Sequence, residues 1–216
     1  MSSNAASIML VDDHPLLRKG LRQLISMDDE LEVIAEASNG ADAITQGVEL
    51  DPDLILLDLN MQGMNGLETL RHLRDQGVTS RIVMLTVSDA DEDVLQAISL
   101  GADGYLLKDM EPEELLEQIK RALNGKMVLS EAVTQILATA IRNPNNKSSG
   151  EIDTLTQREL EILKLIAKGL SNKLIARELD ISDGTVKVHV KHLLKKLHLR
   201  SRVEAAVWMI NQQTQE

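Results

Sequence analysis

The chain has no cysteine and no phenylalanine, and only one tyrosine and one tryptophan among 216 residues. Without cysteine there can be no disulfide, thiolate metal site or cysteine nucleophile, a usage that fits a reducing, cytoplasmic compartment. With aromatics so scarce, the core must be built from Leu, Ile, Val, Ala and Met, which suits helices and buried parallel strands. No apolar run approaches the ~20 residues that a membrane helix needs. The stretch Met1–Ser7 lacks the basic start and long apolar core of a signal peptide.

Charge is present but unevenly placed. The net −11 resolves into −14 over residues 1–130, +1 over 131–149 and +2 over 150–216. Within the last part, residues 182–202 hold six basic side chains against Asp183 alone. An acidic half and a locally basic tail point to two domains with different partners.

Five short apolar runs, Ile8–Val11, Leu31–Ala37, Leu54–Leu57, Arg81–Thr86 and Gly104–Leu107, read as strands. Helical patterns follow them at Pro15–Met27, Ala41–Leu50, Gly66–Gln76, Asp91–Leu100 and Glu113–Leu123. This alternation predicts right-handed crossovers and a doubly wound, five-stranded parallel sheet of the flavodoxin type in residues 1–125. Residues 126–150 read as a connecting helix over Ser130–Arg142 followed by an Asn-, Pro- and Ser-rich linker. Residues 151–216 read as all-helical. There Thr156-x-x-Glu159 is a capping box and Gly169 a helix stop. The helices expected beyond it are Asn172–Leu179, Thr185–Leu197 and Arg202–Asn211, with Asp180–Gly184 as a tight turn.

In such sheets functional residues gather at the carboxyl ends of the strands. Asp12 and Asp13 end the first strand, Asp58 the third and Thr86 the fourth, and Lys108 follows the fifth. Three carboxylates on one edge repel unless a cation sits among them, and an all-oxygen set suits Mg²⁺. A carboxylate acceptor, a metal, a hydroxyl and an ammonium together make an inventory for holding a phosphoryl group. Singly, each has a plainer use as helix cap, turn residue or solvated surface charge. All five at strand ends in this order are a joint signal.

The motifs VDDHP at 11–15, LILLDLNM at 54–61, LTVSD at 85–89 and GADGYLLKD at 101–109 resemble the receiver domain of two-component response regulators. The resemblance implies that Asp58 accepts phosphate from a sensor histidine kinase. It implies that Asp12, Asp13, Asp58 and the main-chain carbonyl of Asn60 hold Mg²⁺, and that Thr86 and Lys108 contact the phosphoryl group. Thr86 and Tyr105 would form the switch pair. Where the family often has Met-Pro-Gly, this chain has Met61-Gln62-Gly63, which frees the φ angle that proline would fix. Phosphatases that phosphorylate an Asp carry Asp-x-Asp, but the second position here is Asn60, which cannot exchange a proton. No glycine-rich phosphate loop follows any strand, which disfavours a nucleotide-binding domain.

At ~100° per residue, Val186, Val190, Leu193, Leu194 and Leu197 share one helix face, and Lys187, Val188, Lys191 and Lys195 the other. A solvated basic face is the plain reading. An outward valine among lysines, preceded by a helix and a tight turn, favours a helix that reads DNA. His189 and His192 lack a third ligand nearby and read as structural. Residues 155–197 resemble the LuxR-type DNA-binding domain. VKVHVKHLLKKL with SRVEAAVW at 201–208, and LNMQGMNGLETL in the first half, resemble nitrate/nitrite-responsive regulators of the NarL/NarP type. That resemblance implies base readout by Lys187, Val188 and Lys191 in double-stranded DNA. It also implies a homodimer on DNA helped by Val203, Ala206, Val207 and Ile210. No enzymatic turnover, small-molecule substrate or membrane is implied.

Overall fold

The computed structural model describes residues 5–88, 90–126, 128–129 and 154–213. The first half alternates β1 (Ala6–Val11), α1 (Pro15–Ile25), β2 (Leu31–Ala37), α2 (Gly40–Leu50), β3 (Leu54–Leu57), α3 (Gly66–Asp75), β4 (Arg81–Thr86), α4 (Asp91–Ser99), β5 (Gly104–Leu107) and α5 (Pro112–Leu123). The strands are parallel in the order β2-β1-β3-β4-β5. A two-residue strand, β6 (Val128–Leu129), pairs with Gly104 and Tyr105 and extends the expected five-stranded sheet by one. The helix expected at 130–142 and the linker at 143–150 lie outside the described residues.

Strand side chains alternate between the two faces of the sheet, and both faces are covered. Met9, Val11, Ile55, Leu57, Ile82 and Met84 pack with Leu70, Leu73, Val94 and Ala97 of α3 and α4. Ile8, Leu10, Leu54, Leu56, Val83 and Leu85 pack with Leu21 and Ile25 of α1 and Leu115 and Ile119 of α5. This two-sided burial explains why the strands are continuous apolar runs. Removing a fully buried member such as Ile55 by substitution to Ala should cost about 2–5 kcal/mol.

The second half forms α6 (Gln157–Ala167), α7 (Asn172–Leu179), α8 (Asp183–Leu197) and α9 (Arg202–Gln213). The Thr156–Glu159 capping box is present in both directions. Helix α8 starts at Asp183, two residues ahead of the expected Thr185. The Ser182 hydroxyl accepts from the Thr185 N–H at 3.0 Å and caps it there, so the turn shortens and Gly184 falls inside the helix. Val186, Val190, Leu193, Leu194 and Leu197 are buried, as their spacing predicts, with Ile162, Ile166, Ile175 and Trp208.

The two halves touch backbone to backbone where Gly125, after α5, meets Gly169, after α6. Both have positive φ (91° and 84°), and a side chain at Gly125 would collide with the Gly169 carbonyl.

Candidate functional site: an acidic pocket and a docked basic helix

The carboxyl ends of β1 and β3 bring Asp12 and Asp58 together, both buried. Gly66 opens α3 with its N–H donating to the Leu59 carbonyl oxygen at 2.8 Å. It also lies so close to the Asp58 backbone that no side chain fits there, which fixes the turn that carries Asp58. Lys108 reaches back from beyond β5, its Nζ 2.7 Å from Asp12 Oδ2 and 2.9 Å from Asp58 Oδ2. One ammonium thus holds two buried carboxylates of like charge in place. Asp58 Oδ1 is shut from water and accepts no hydrogen bond.

Asp13 is half-buried beside them, and its Oδ2 accepts from the Gln62 N–H at 3.1 Å. That bond exists because residue 62 is not proline, the departure noted above. His14 does not cap α1 through its side chain; its Nδ1 lies 2.8 Å from Asp13 Oδ1 and 3.3 Å from Asp12 Oδ1. Asp12, Asp13, His14 and Asp58 each offer a ligand atom within 4.8 Å of the others. The unpartnered Asp58 Oδ1 in such a group is compatible with a divalent cation. The three carboxylates fit a hard, oxygen-seeking ion better than the imidazole does. Asn60 is exposed at the same edge. Thr86 is fully buried, and its Oγ1 accepts from the Ser88 N–H at 3.2 Å. Tyr105 points inward, its hydroxyl donating to the Ser88 carbonyl oxygen at 2.9 Å, so Thr86 and Tyr105 share Ser88 as a partner.

The leading lysines of the basic helix α8 reach the receiver half. Lys187 Nζ donates to the Asp51 carbonyl oxygen at 2.5 Å and Lys191 Nζ to the Gln76 carbonyl oxygen at 3.3 Å. Just beyond α8, Arg200 donates to the Ser99 carbonyl oxygen at 2.9 Å. These three acceptors end α2, α3 and α4 in turn. Helix carboxyl ends carry partial negative charge on unpaired carbonyls, so the acidic half offers three phosphate-like sites to one row of cations. Val188, 53% exposed, borders a hollow lined by Val48 and Val78.

Lys195 is exposed at the far end of α8. Its neighbour Lys196 is tied to buried Glu159 at 2.6 Å. Burial alone would push the Glu159 carboxyl up. Its bonds to Lys196 and to the Thr156 N–H and hydroxyl outweigh that and hold it below the usual carboxylate range. All docking contacts lie at the amino ends of the strands, a strand length from Asp58, or about 13 Å for four residues. No helix of the described residues is long and apolar enough to cross a membrane.

Residues 8–120 match the model of the response regulator receiver domain, and residues 153–209 that of the bacterial regulatory proteins of the luxR family. The chain is 59% identical to the nitrate/nitrite response regulator protein NarL of Escherichia coli K12 over 204 residues, covering 94% of each. It is 53% identical to NarP of the same organism over 95% of this chain and 94% of the relative. Among solved structures it is similar to the response regulator ChrA of a heme-sensing two-component system. The TM-score is 0.52 at 33% identity, over 97% of this chain and 98% of that one. A receiver with its acidic pocket implies a histidine kinase partner, and a LuxR-type helical unit implies DNA binding. With both domains matched and whole-length similarity to NarL and NarP, the chain belongs to the NarL/NarP-like response regulators, in which a receiver domain is joined to a LuxR-type DNA-binding domain.

Proposed function

We propose that this chain is a cytoplasmic transcription factor of the nitrate/nitrite response, switched on by phosphoryl transfer to Asp58. An Asp58 carboxylate oxygen attacks the phosphorus of the kinase phosphohistidine. The P–N bond breaks, and the imidazole, already protonated on its other ring nitrogen, leaves neutral. The observation that carries this reading is the buried Asp58 carboxylate, with one oxygen orphaned and the other on Lys108. Mg²⁺, held by Asp12, Asp13, Asp58 and the Asn60 carbonyl, would offset the charge gathering on the phosphoryl oxygens. Lys108 and the Thr86 hydroxyl bind those oxygens. Thr86 Oγ1 accepts from the Ser88 N–H and keeps its own hydrogen to donate to a phosphoryl oxygen, and Ser88 also anchors Tyr105 and so links the site to the switch.

The docked form is the inhibited one. Lys187, Val188 and Lys191, which read bases, and Lys195, which meets phosphate, share a helix whose leading lysines are held by the receiver. Val207 and Ile210, on the face expected to form the homodimer, border a hollow against Arg81 and Gly125. Phosphorylation shifts a closed–open equilibrium and releases both surfaces. Incubation with an acyl phosphate and Mg²⁺, followed by intact mass, should show one phosphoryl group on the native chain and none on Asp58→Asn. Labelling of Asp58→Asn at the native level would sink the assignment.

A further inference from the structure

Between the receiver and the helical unit lies a cleft of about 360 Å³, distant from the acidic pocket. Its walls come from the amino ends of β1 and β4, the carboxyl end of α5, and the start of α7. Arg81 and Arg202, one from each unit, line it together. Both are buried, 3% and 5% exposed. Arg202 donates to Asn172 Oδ1 at 2.9 Å and to the Leu170 carbonyl oxygen at 2.6 Å, both neutral acceptors. Arg81 Nη1 is shut from water and has no hydrogen-bond partner. The nearby carboxylate, Asp103, is taken by Arg74 at 2.6 Å. Two guanidinium charges are therefore buried across a domain boundary without an ion-pair partner among the described residues. Burial and the repulsion of Arg81 push Arg202 down to about 9. At neutral pH a guanidinium keeps its proton even so, and the penalty falls on the contact itself.

The rest of the cleft has the matching chemistry. Arg177 adds positive charge to the walls, where α7 begins, while Lys173 and Lys120 lie there tied to Asp53 at 3.2 Å and to Asp28. Asp29 and Glu30, both exposed, supply carboxylates at the mouth, which accept hydrogen bonds from hydroxyl groups. The volume falls in the range of small-molecule sites. We propose that this cleft binds a small phosphorylated, polyhydroxylated metabolite, whose phosphate monoester neutralises Arg81 and Arg202 and whose hydroxyls meet Asp29 and Glu30. A monoester is not an acyl phosphate and does not load Asp58. Because the site needs both units in contact, its ligand stabilises the docked form and raises the threshold for activation. That regulatory consequence rests on the docked form being the inhibited one; binding itself does not.

The test uses the full-length Asp58→Asn chain, labelled with ¹⁵N, and ribose 5-phosphate as probe, with inorganic phosphate and ribose as controls. Ribose 5-phosphate should shift the amides of Ala6, Asn172 and Lys173 saturably. Inorganic phosphate should shift the same amides more weakly, and ribose should leave them unchanged. Arg81→Gln should weaken binding roughly tenfold, the loss of one charge-assisted contact. If Arg81→Gln fails to fold, exposed Arg177→Gln should still weaken binding several-fold. Shifts confined to the Asp58 pocket or to α8, or equal binding by both variants and the native chain, would overturn the proposal. Duplex DNA should lower the affinity for ribose 5-phosphate. Binding that DNA leaves unchanged would leave the cleft standing and refute the inhibited reading of the docked form.

Discussion

Lys187 Nζ sits 2.5 Å from the main-chain carbonyl oxygen of Asp51, so a lysine suited to DNA is spent on a helix end of the same chain. Lys191 does the same at Gln76. On the proposed reading, each lysine serves two competing states. In a fragment spanning residues 149–216, Lys191→Ala should lower affinity for a specific site by roughly 1–3 kcal/mol. In the unphosphorylated full chain the same substitution also weakens docking, so the net loss should be smaller. Affinities of both forms for one duplex check this; an equal loss in both would mean that the Lys191–Gln76 contact carries no free energy.

Val188 and Lys195 separate readout from attraction. Val188→Ala should reduce the ratio of affinities for cognate and scrambled duplexes, because an apolar contact to a base edge carries sequence information. Lys195→Ala should leave that ratio nearly unchanged and flatten the salt dependence by about one unit of slope. Full discrimination by Val188→Ala across a salt series would reduce Val188 to a surface residue.

Lys196→Ala should act on stability instead. It removes the charged partner of the buried Glu159 carboxylate, which keeps its bonds from Thr156, with a cost of about 1–2 kcal/mol once the partial exposure of Lys196 is allowed for. Urea unfolding of the helical unit, followed by Trp208 fluorescence, reads this directly. The folded Glu159 carboxyl lies below its usual 4.5, so its ionised form favours the fold. That contribution is complete above the unfolded value and is lost as pH falls through the lower folded one. The stability difference between the native chain and Glu159→Gln should therefore be constant near neutrality and shrink only below about pH 4.5.

Gln62→Pro should raise the Mg²⁺ concentration needed for half-maximal labelling of Asp58, roughly tenfold, because it deletes the N–H that orients Asp13. Gln62→Ala keeps that N–H and should behave as the native chain. A shift of the same size in both variants would place the effect in the side chain rather than the backbone bond.

Much of the fold is legible in the sequence for a physical reason. Strands buried on both faces must be apolar throughout, so LILL and RIVMLT stand out. The three acids stand out because like charges at successive strand ends have no ordinary use. The Thr156–Glu159 box is likewise a pattern with one local meaning. The start of α8 was less legible because Ser182 and Thr185 are both good caps, and the backbone chose the earlier. β6 is two residues long, too short to show a period. Docking is marked only by the contrast between the acidic first half and the basic helix, and its register by nothing. Its acceptors are main-chain carbonyls at Asp51, Gln76 and Ser99, a group that every residue possesses. The Arg81–Arg202 pairing spans residues 121 positions apart and joins like charges, which no complementarity rule would find.

The Gly125–Gly169 contact gives the docked form an unusual sensitivity. At this point the two units are spaced by the thickness of their peptide groups, with no side chain to yield or rotate. A protein hinge usually tolerates small changes in bulk because side chains give way. This one has the tolerance of a mechanical stop. A single added methyl at residue 125 would act as a wedge and set a floor on how closely the receiver and the helical unit can approach.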